Sequence, residues 1–299
     1  MTAPHTVDPV ITEIVRNGLV AVTEEMKINL MRTAYNMIIY EALDFTVGIF
    51  DARGNTVSIG LGLPMFIRGM SDTVKTKLAH FGAENLDPGD ILLTNDAYIT
   101  GSHLNHMTFT VPIFHDKELV GFSCCMAHWL NIGGVLNGLT HDIYSEGLQI
   151  PILKLQDKGR INQDLIDVIM MNVRIPERAK GDLRAQMIAV STGERGFVEL
   201  VKRYGRVEVQ GAIDEILRQS ERSARVRTMA QTESAPRSTS ATEATPTAAR
   251  NLRANSNAAA WPRPHASPAM IAVLLASLIK ILLKHILMVC SSCDGINAA

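Results

Sequence analysis

Three histidines are spaced so that they could bind one divalent metal ion. His103 and His106 precede one predicted β-strand, His128 follows the next, and the polar turn at 115–118 joins the two strands. In an antiparallel hairpin centred on that turn, residue 106 lies opposite about residue 127, and cross-strand neighbours have Cβ atoms about 5 Å apart. Neutral imidazole is a common ligand of Zn²⁺, Mn²⁺ and Fe²⁺, and three protein ligands with one open position are typical of a catalytic metal site.

Polar side chains near these histidines are candidates for further ligands or for partners that orient the ring nitrogens. They are Asn95, Asp96, Asn105 and Asn131. Histidines at strand ends are also common on protein surfaces, where they bind water or a neighbouring backbone group. The spacing alone leaves the metal site and this surface alternative open.

Residues 103–128, the histidine hairpin, lie within the segment 1–228. The sequence pattern of that segment predicts an α+β domain with a mixed antiparallel sheet and long flanking helices. Asp8 followed by proline is a typical helix start, and apolar residues at three- and four-residue steps extend that helix to about Tyr35. Pro112 indicates that the first strand of the histidine hairpin lies at a sheet edge or carries a bulge. The other predicted elements are a β-hairpin at 45–50 and 56–59, a helix at 69–82, a strand at 91–95, and helices at 163–173, 177–202 and 207–220.

The composition changes abruptly after residue 228. All eight phenylalanines and all five tyrosines lie before that point. Residues 229–269 are mostly Ala, Thr, Ser, Pro, Arg and Asn, so they cannot bury enough apolar surface to offset the entropy of ordering, and we expect disorder. An apolar run at 270–290 and a short polar end at 291–299 follow.

The apolar run at 270–290 has three interpretations. It has about the length of a membrane anchor (~20 residues), but Lys280 and Lys284 lie inside it, and each interior lysine costs roughly 2.5–3.5 kcal/mol on insertion. It could instead form an amphipathic helix that packs on the body of the protein. The third interpretation is that a shifted reading frame in the gene produced the sequence after residue 228.

Composition and charge narrow the possible function classes. The chain has 299 residues, a formal net charge of −1 and four cysteines. A chain of this length can bury a core without disulfides, and four cysteines do not make a disulfide scaffold. The near-neutral charge argues against a nucleic-acid-binding protein, which usually carries a basic domain. The N-terminus MTAPHTVDP lacks the basic and apolar regions of a secretory signal, so we expect a cytoplasmic protein.

Eight segments taken together resemble the hydantoinase B/oxoprolinase family, and they occur in the family's order across about residues 1–220. These segments are DPVITEIVRNGLVAVTEEM (8–26), RTAYNMIIYEALDFTVGIFDARGN (32–55), LDPGDILLTNDAYITGSHLNHMTFTVPIF (86–114), AHWLNIGG (127–134), DIYSEGLQIP (142–151), KGRINQD (158–164), NVRIPE (172–177) and GDLRAQ (181–186). No single segment is specific, but the ordered set is.

The resemblance implies a divalent metal bound by the family motifs NDPYxGGTHLxD and HxxDIGG. The motif histidines fall on His103 and His128, whereas the family's two aspartates fall on His106 and Asn131. Imidazole can replace carboxylate as a ligand, but the site then becomes more positive by one charge. We therefore expect the metal preference, among zinc, manganese and iron, to move toward zinc.

The resemblance also suggests two acidic residues for proton transfer or for orienting the metal ligands. A family glutamate falls on Asp142, and Glu146 lies in the matching EGL segment. We take both as candidate general acids or bases. The alternative is that both side chains cap a helix or form surface ion pairs.

The family resemblance implies the metal-bearing subunit of an ATP-dependent enzyme that opens cyclic amides of the hydantoin or 5-oxoproline type. Its partner would be a hydantoinase A-like ATPase of the actin-like kinase kind, which phosphorylates the small-molecule substrate, in a hetero-oligomer. The chain has no GxxxxGK[ST] loop, which agrees with ATP binding by the partner. One alternative is a subunit of an acetone or acetophenone carboxylase, which belongs to the same family.

A second alternative is an inactive fragment or a non-catalytic assembly subunit. The carboxylates lost at His106 and Asn131 favour it, as does the unusual tail. Family members of this type are roughly twice as long as residues 1–228. A shifted frame therefore explains the tail better than a membrane anchor does, and we expect neither nucleic-acid nor membrane partners.

Overall fold

The computed structural model describes residues 7–135 and 140–234. The predicted apolar helix at 270–290 and the polar end at 291–299 lie outside the described residues, as does most of the segment 229–269. The last described helix continues to Ser234, into the segment that the composition predicts to be disordered. The domain boundary at residue 228 stays a prediction.

A single antiparallel sheet of seven strands forms the centre of the described structure, as the α+β prediction requires. Its strands are β1 (Phe45–Asp51), β2 (Thr56–Leu61), β3 (Ile91–Thr94), β4 (His106–His115), β5 (Glu118–His128), β6 (Leu153–Asp157) and β7 (Arg160–Ile161). Their order across the sheet is β2-β1-β5-β4-β3-β6-β7. The histidine hairpin, β4 and β5, therefore lies in the middle of the sheet.

Eight α-helices flank this sheet in the described residues. They are α1 (Pro9–Thr33), α2 (Met37–Tyr40), α3 (Ile67–Phe81), α4 (Ala97–Thr100), α5 (Ile143–Glu146), α6 (Gln163–Asn172), α7 (Pro176–Tyr204) and α8 (Arg206–Ser234). The long helices agree with the predicted ones to within a few residues, except that α8 extends well past its predicted end at residue 220. No helix in these residues is long and apolar enough to cross a membrane.

Helix α1 shows how the sequence produces these elements. The Asp8 side chain accepts a hydrogen bond from the Val10 amide, and Pro9 occupies the first turn, where a missing N–H costs nothing. The apolar stripe then faces inward and buries Val15, Leu19, Val22, Met26 and Leu30. The helix packs along α7 and α8 and lies against β1 and β2.

Hydrophobic cores cover both faces of the sheet. The larger core lies under α1, α7 and α8, and a smaller core lies under α3. Neighbouring strand residues point to opposite faces, so Cys125 joins the larger core while Cys124 joins the smaller one.

The β4–β5 hairpin has a register one residue away from the predicted one. His106 pairs with His128, because a bulge between Ile113 and Phe114 shifts the strands by one residue. The edge-strand interpretation of Pro112 is wrong, since β4 lies between β5 and β3. The bulge interpretation is confirmed, because the irregularity begins at the residue that follows the proline.

Candidate metal centre

The imidazole rings of His103, His106 and His128 contact one another at one end of the β4–β5 hairpin. The ring centroids of His103 and His106 are 4.4 Å apart, those of His103 and His128 are 4.9 Å apart, and those of His106 and His128 are 5.1 Å apart. A metal ~2.0 Å from an imidazole nitrogen lies about 3 Å from the ring centre, so tetrahedral ligands have ring centres about 5 Å apart. The three rings thus have the spacing of ligands around one ion.

The sheet pairing explains why these side chains meet. His106 is the first residue of β4 and His128 is the last residue of β5, and the two are direct cross-strand partners. The His106 amide donates to the His103 carbonyl at 3.1 Å, which folds the preceding loop back toward the pair. His106 is buried, His128 is half-buried and His103 is exposed, so the cluster runs from the interior to the surface.

A carboxylate that the sequence pattern did not single out completes this cluster. Asp44 Oδ1 lies 3.0 Å from His106 Nε2, and the Asp44 carbonyl accepts a hydrogen bond from the His128 amide at 3.1 Å. Asp44 immediately precedes β1, and β1 pairs with β5 so that Phe45 lies opposite Ala127. An acidic residue just before a strand that pairs with the strand ending at His128 is the signal that could have revealed it.

Both ring nitrogens of His106 are hydrogen-bonded. Because a carboxylate only accepts, His106 Nε2 donates to Asp44, and His106 Nδ1 shares a hydrogen bond with the Ser102 hydroxyl at 2.8 Å. The ring also packs on Phe66, with centroids 4.6 Å apart. No group of three or more His, Cys, Asp or Glu side chains in the described part of the chain is arranged, as it stands, to hold a metal ion. His106 would have to give up one of its hydrogen bonds to become a ligand.

The imidazoles of His103 and His128 are held in the neutral form. Burial, together with the neighbouring His106, lowers the pKa of His128 to about 4. His103 is exposed as a residue, but its ring packs against the other two imidazoles; the loss of solvent around the ring, together with those imidazoles, lowers its pKa to about 3. Burial also acts to raise the pKa of Asp44, but its hydrogen bond to His106 and the surrounding histidines outweigh this effect and lower it. At neutral pH the imidazoles of His103 and His128 are therefore neutral, and the Asp44 carboxylate beside the cluster is ionised.

This set of donors fits a divalent metal. Neutral imidazole nitrogens and a carboxylate oxygen are ligands that Zn²⁺, Mn²⁺ and Fe²⁺ accept in proteins. His128 Nδ1 is buried and has no hydrogen-bond partner among the described residues, which is unusual for a buried polar atom. Coordination would satisfy this nitrogen.

The two candidate acid–base residues have different positions. The half-buried Glu146 lies beside the cluster, where its Oε2 accepts a hydrogen bond from the Leu104 amide, next to His103, at 3.2 Å. Asp142 is exposed and caps α5, where its Oδ1 accepts from the Ser145 amide at 2.9 Å. The structure thus brings Glu146 to the site and gives Asp142 a capping contact, and a catalytic role for either residue stays a prediction.

Asn95 and Asn105 shape the loop that carries His103. Asn95 is buried, and its amide group donates at 2.8 Å to the carbonyls of Leu104 and Leu148. The Asn105 side chain donates to the Trp129 carbonyl at 2.9 Å, and its backbone amide donates to His103 Nδ1 at 3.3 Å. Asn105 therefore reaches a ring nitrogen, whereas Asn95 acts on the backbone.

Asp96 and Asn131 make contacts with nearby backbone groups. Asp96 caps α4 by accepting from the Tyr98 amide at 2.9 Å. Asn131 Oδ1 accepts from the amides of Gly133 and Arg174 at 3.1 and 2.9 Å, which holds the loop after β5 against the segment before α7. Both residues organise the surroundings of the cluster, and their roles as metal ligands or ring partners stay predictions.

Comparison with known proteins gives evidence on family membership that does not depend on the geometry of the site. The profile of the hydantoinase B/oxoprolinase family matches residues 8–253. The caprolactamase β subunit of Pseudomonas jessenii is 32% identical over 225 residues, which cover 74% of this chain and 39% of that protein. A subunit of a putative D-/L-hydantoinase from Pseudomonas sp. strain NS671 is 31% identical over 234 residues, which cover 73% of this chain and 38% of that protein.

Two solved structures share the fold. The crystal structure of the ATP-dependent caprolactamase from Pseudomonas jessenii superimposes with a TM-score of 0.70 at 33% identity, over 74% of this chain and 39% of that one. A nucleotide-free structure of acetone carboxylase superimposes with a TM-score of 0.64 at 20% identity, over 69% of this chain and 28% of that one. The chain therefore spans less than half the length of these relatives.

Proposed function

Because this chain belongs to the hydantoinase B/oxoprolinase family, we propose that it is the metal-bearing subunit of an ATP-dependent cyclic amide hydrolase. Its substrate class would be lactams of the hydantoin or 5-oxoproline type. The observation that carries the proposal is the convergence of His103, His106 and His128 beside Asp44 at one end of the central hairpin.

The residues that would hold the metal are His103, His106 and His128, with Asp44 as a fourth donor. When bound, a divalent ion supplies the Lewis acidity that polarises a lactam carbonyl or lowers the pKa of water. The replacement of the family's aspartate by His106 favours zinc over manganese or iron.

The protein's own residues would then orient the substrate and move protons. His103 lies on the exposed side of the cluster, so a small molecule can approach from there, while the buried His106 closes the inner side. Glu146 lies next to the His103 loop and is the candidate to donate or accept a proton as the amide bond breaks. Asp142, at the start of the same short helix, is the second candidate.

ATP would be bound by a hydantoinase A-like ATPase partner rather than by this chain, in a cytoplasmic hetero-oligomer. Two relatives are named as one subunit of a larger enzyme, a caprolactamase and a putative hydantoinase, which supports the need for a partner. Activation of the lactam oxygen by phosphorylation would occur in that partner, and ring opening would follow at the histidine cluster.

The test uses the full chain, purified with the hydantoinase A-like ATPase of its source. Metal content is measured by elemental analysis, and ring opening of 5-oxoproline, hydantoin and caprolactam is followed with and without ATP. His103→Ala and His128→Ala should lose both bound metal and ATP-dependent ring opening. His80→Ala, which removes an exposed imidazole on α3, should keep both.

The possible outcomes separate the alternatives. A wild-type complex without bound metal contradicts the proposal. Carboxylation of acetone without lactam cleavage identifies the carboxylase alternative. A complex that assembles but neither binds metal nor turns over any substrate identifies a non-catalytic assembly subunit.

A further inference from the structure

We infer that Gln186 and Asp182, one turn apart on α7, are positioning residues for the histidine cluster. The inference rests on the proposed metal site, and it assigns a role to two residues that the spacing of potential ligands does not reveal. Both side chains are buried, with Gln186 at 0% and Asp182 at 1% exposure. Gln186 contacts the residues that follow His106 and His128, and Asp182 is linked through Asn36 to the carbonyl of His128.

Gln186 contacts both strands of the histidine hairpin beside the cross-strand pair His106 and His128. Its Nε2 donates to the Met107 carbonyl at 3.0 Å, and its Oε1 accepts from the Trp129 indole Nε1 at 2.7 Å. Met107 follows His106 in β4, and Trp129 follows His128 at the end of β5. Gln186 Nε2 also lies 3.6 Å from Cys125 Sγ on β5. One amide group therefore binds the backbone of the residue that follows His106 and the side chain of the residue that follows His128.

Asp182 acts on His128 through the turn that follows α1. Its Oδ1 accepts hydrogen bonds from the amides of Tyr35 and Asn36 at 2.8 and 3.2 Å. The Asn36 side chain in turn donates to the His128 carbonyl at 2.8 Å. Asn36 Oδ1 also caps α2 by accepting from the Ile38 amide, and the Ile38 carbonyl accepts from the amide of Asp44. Asp182 thus supports the backbone of both His128 and Asp44.

The placement of these polar groups argues against a general packing role. A buried polar side chain is unfavourable unless its hydrogen bonds are satisfied, and an apolar residue would fill the same core with less difficulty. The neighbouring buried positions of α7 are indeed apolar, among them Leu183, Ala189 and Val190. Thr192, a buried polar residue further along α7, contacts Asn29 of α1 instead. Polar contacts from α7 to the hairpin are therefore concentrated at the end that carries the histidines.

Loss of these contacts should loosen the ligands without removing any of them. A metal site tolerates little displacement of its ligands, and residues that orient ligands typically contribute 10–100-fold to metal affinity. Because Gln186 binds a backbone carbonyl and an indole rather than the imidazole rings themselves, we expect the lower end, about a tenfold loss of affinity.

The test measures Zn²⁺ affinity of the full chain by competition with a chromophoric chelator. Gln186→Leu removes both hydrogen bonds, and Trp129→Phe removes the indole N–H that meets Gln186. Gln186→Leu should weaken Zn²⁺ binding about tenfold, and Trp129→Phe, which leaves the bond to Met107, should weaken it by less. The double variant should lose little more than Gln186→Leu alone, since the indole N–H acts through Gln186. Thr192→Val is the matched control on the same helix and should bind as the wild type does.

A second pair of variants tests Asp182. Asp182→Ala removes the acceptor for the two backbone amides and should weaken Zn²⁺ binding. Asp182→Asn keeps an oxygen at the same place and should restore it to nearly the wild-type affinity. Circular dichroism and urea unfolding show whether each variant folds. If Gln186→Leu does not fold, Trp129→Phe decides the question from the other end of the bond.

The failure of this inference differs from the failure of the proposed function. A wild-type chain that does not bind Zn²⁺ overturns both. A wild-type chain that binds Zn²⁺, together with folded Gln186→Leu, Trp129→Phe and Asp182→Ala variants that bind it equally well, overturns the positioning role alone. Additive losses in the Gln186/Trp129 double variant would also contradict a single shared contact.

Discussion

His106 Nε2 donates to Asp44 Oδ1 across a distance of 3.0 Å, although 62 positions separate the two residues in the chain. The bond joins the first residue of β4 to the residue that precedes β1, and it reaches across β5, which lies between those strands. The related family motif has a carboxylate where this chain has His106. Asp44 thus places a negative charge next to His106, the imidazole that stands where the family motif has a carboxylate.

Asp44→Asn is expected to weaken metal binding. The substitution keeps the size of the side chain but removes the charge, so the site loses an anionic donor and the partner that orients His106. We expect a 10–100-fold loss of Zn²⁺ affinity, measured by chelator competition. Asp214→Asn is the control, because it also neutralises an aspartate, but one that forms an exposed ion pair with Arg53 and does not contact the histidines. Equal affinity of the Asp44 variant and the wild type would show that Asp44 is no part of the site.

His106→Asp is expected to change metal preference. Carboxylate suits Mn²⁺ better than imidazole does, while imidazole suits Zn²⁺, so the ratio of Zn²⁺ to Mn²⁺ affinity should fall about tenfold. The ratio is obtained by titrating each metal separately. The control His115→Asp changes a histidine at the opposite end of β4 and should leave the ratio as it is. An unchanged ratio in the His106 variant would mean that this ring does not contact the metal.

The local elements of this site follow from the sequence, but its assembly does not. Periodicity and the Asp8 cap predict α1, and alternation with a polar turn predicts the hairpin that brings His106 near His128. The predicted register differs from the observed one by one residue, because the alternation of apolar and polar residues does not reveal the bulge after Pro112. Backbone conformation at one position thus decides which residues are direct partners.

The residues that complete the site depend on long-range packing, which a local pattern does not contain. Asp44 meets His106 only because β1 pairs with β5. Gln186 reaches the hairpin only because α7 packs across β4 and β5, and Asp182 is linked to it only through the turn that follows α1. In the sequence, Gln186 and Asp182 occur in a family-like segment with no visible link to histidines far upstream. Such a link depends on how a helix packs on a sheet. The spacing of apolar residues shows which face of the helix is buried, but not where along the sheet the helix lies.

Lys77 predicts a stability that rises at high pH. Its ammonium group is fully buried under α3 and donates to the carbonyls of Leu92 and Thr108 at 3.2 and 2.8 Å, and to the Thr110 hydroxyl at 3.0 Å. Burial lowers the pKa of Lys77 from 10.5 to about 8. Between pH 8 and 10.5 the unfolded chain therefore binds more protons at this residue than the folded chain does, and the free energy of unfolding rises with pH.

Urea unfolding at pH 8 and pH 10 measures this effect as a difference between variants. Relative to Lys77→Met, the wild type should gain up to about 1.4 kcal/mol per pH unit across the window. Lys75→Met removes an exposed lysine on the same helix and should follow the wild type at both values. Parallel curves for the wild type and the Lys77 variant would show that the buried amine has an ordinary pKa in the folded protein.

Asp182 predicts the opposite dependence in the acidic range. Burial raises the pKa of Asp182 from 3.8 to about 6, although the amides of Tyr35 and Asn36 donate to it and act in the other direction. Between these values the folded chain binds more protons at this residue than the unfolded chain, so the free energy of unfolding falls as pH rises.

Asp182→Asn carries no charge and keeps an acceptor for both amides. The variant should therefore gain stability relative to the wild type as pH rises from about 4 to about 6, by up to about 1.4 kcal/mol per pH unit. Urea unfolding at pH 4, 5, 6 and 7 measures this gain, and Asp167→Asn, an exposed aspartate on α6, should show none. A constant difference between Asp182→Asn and the wild type across that range would mean that the Asp182 carboxyl titrates alike in the folded and unfolded chains.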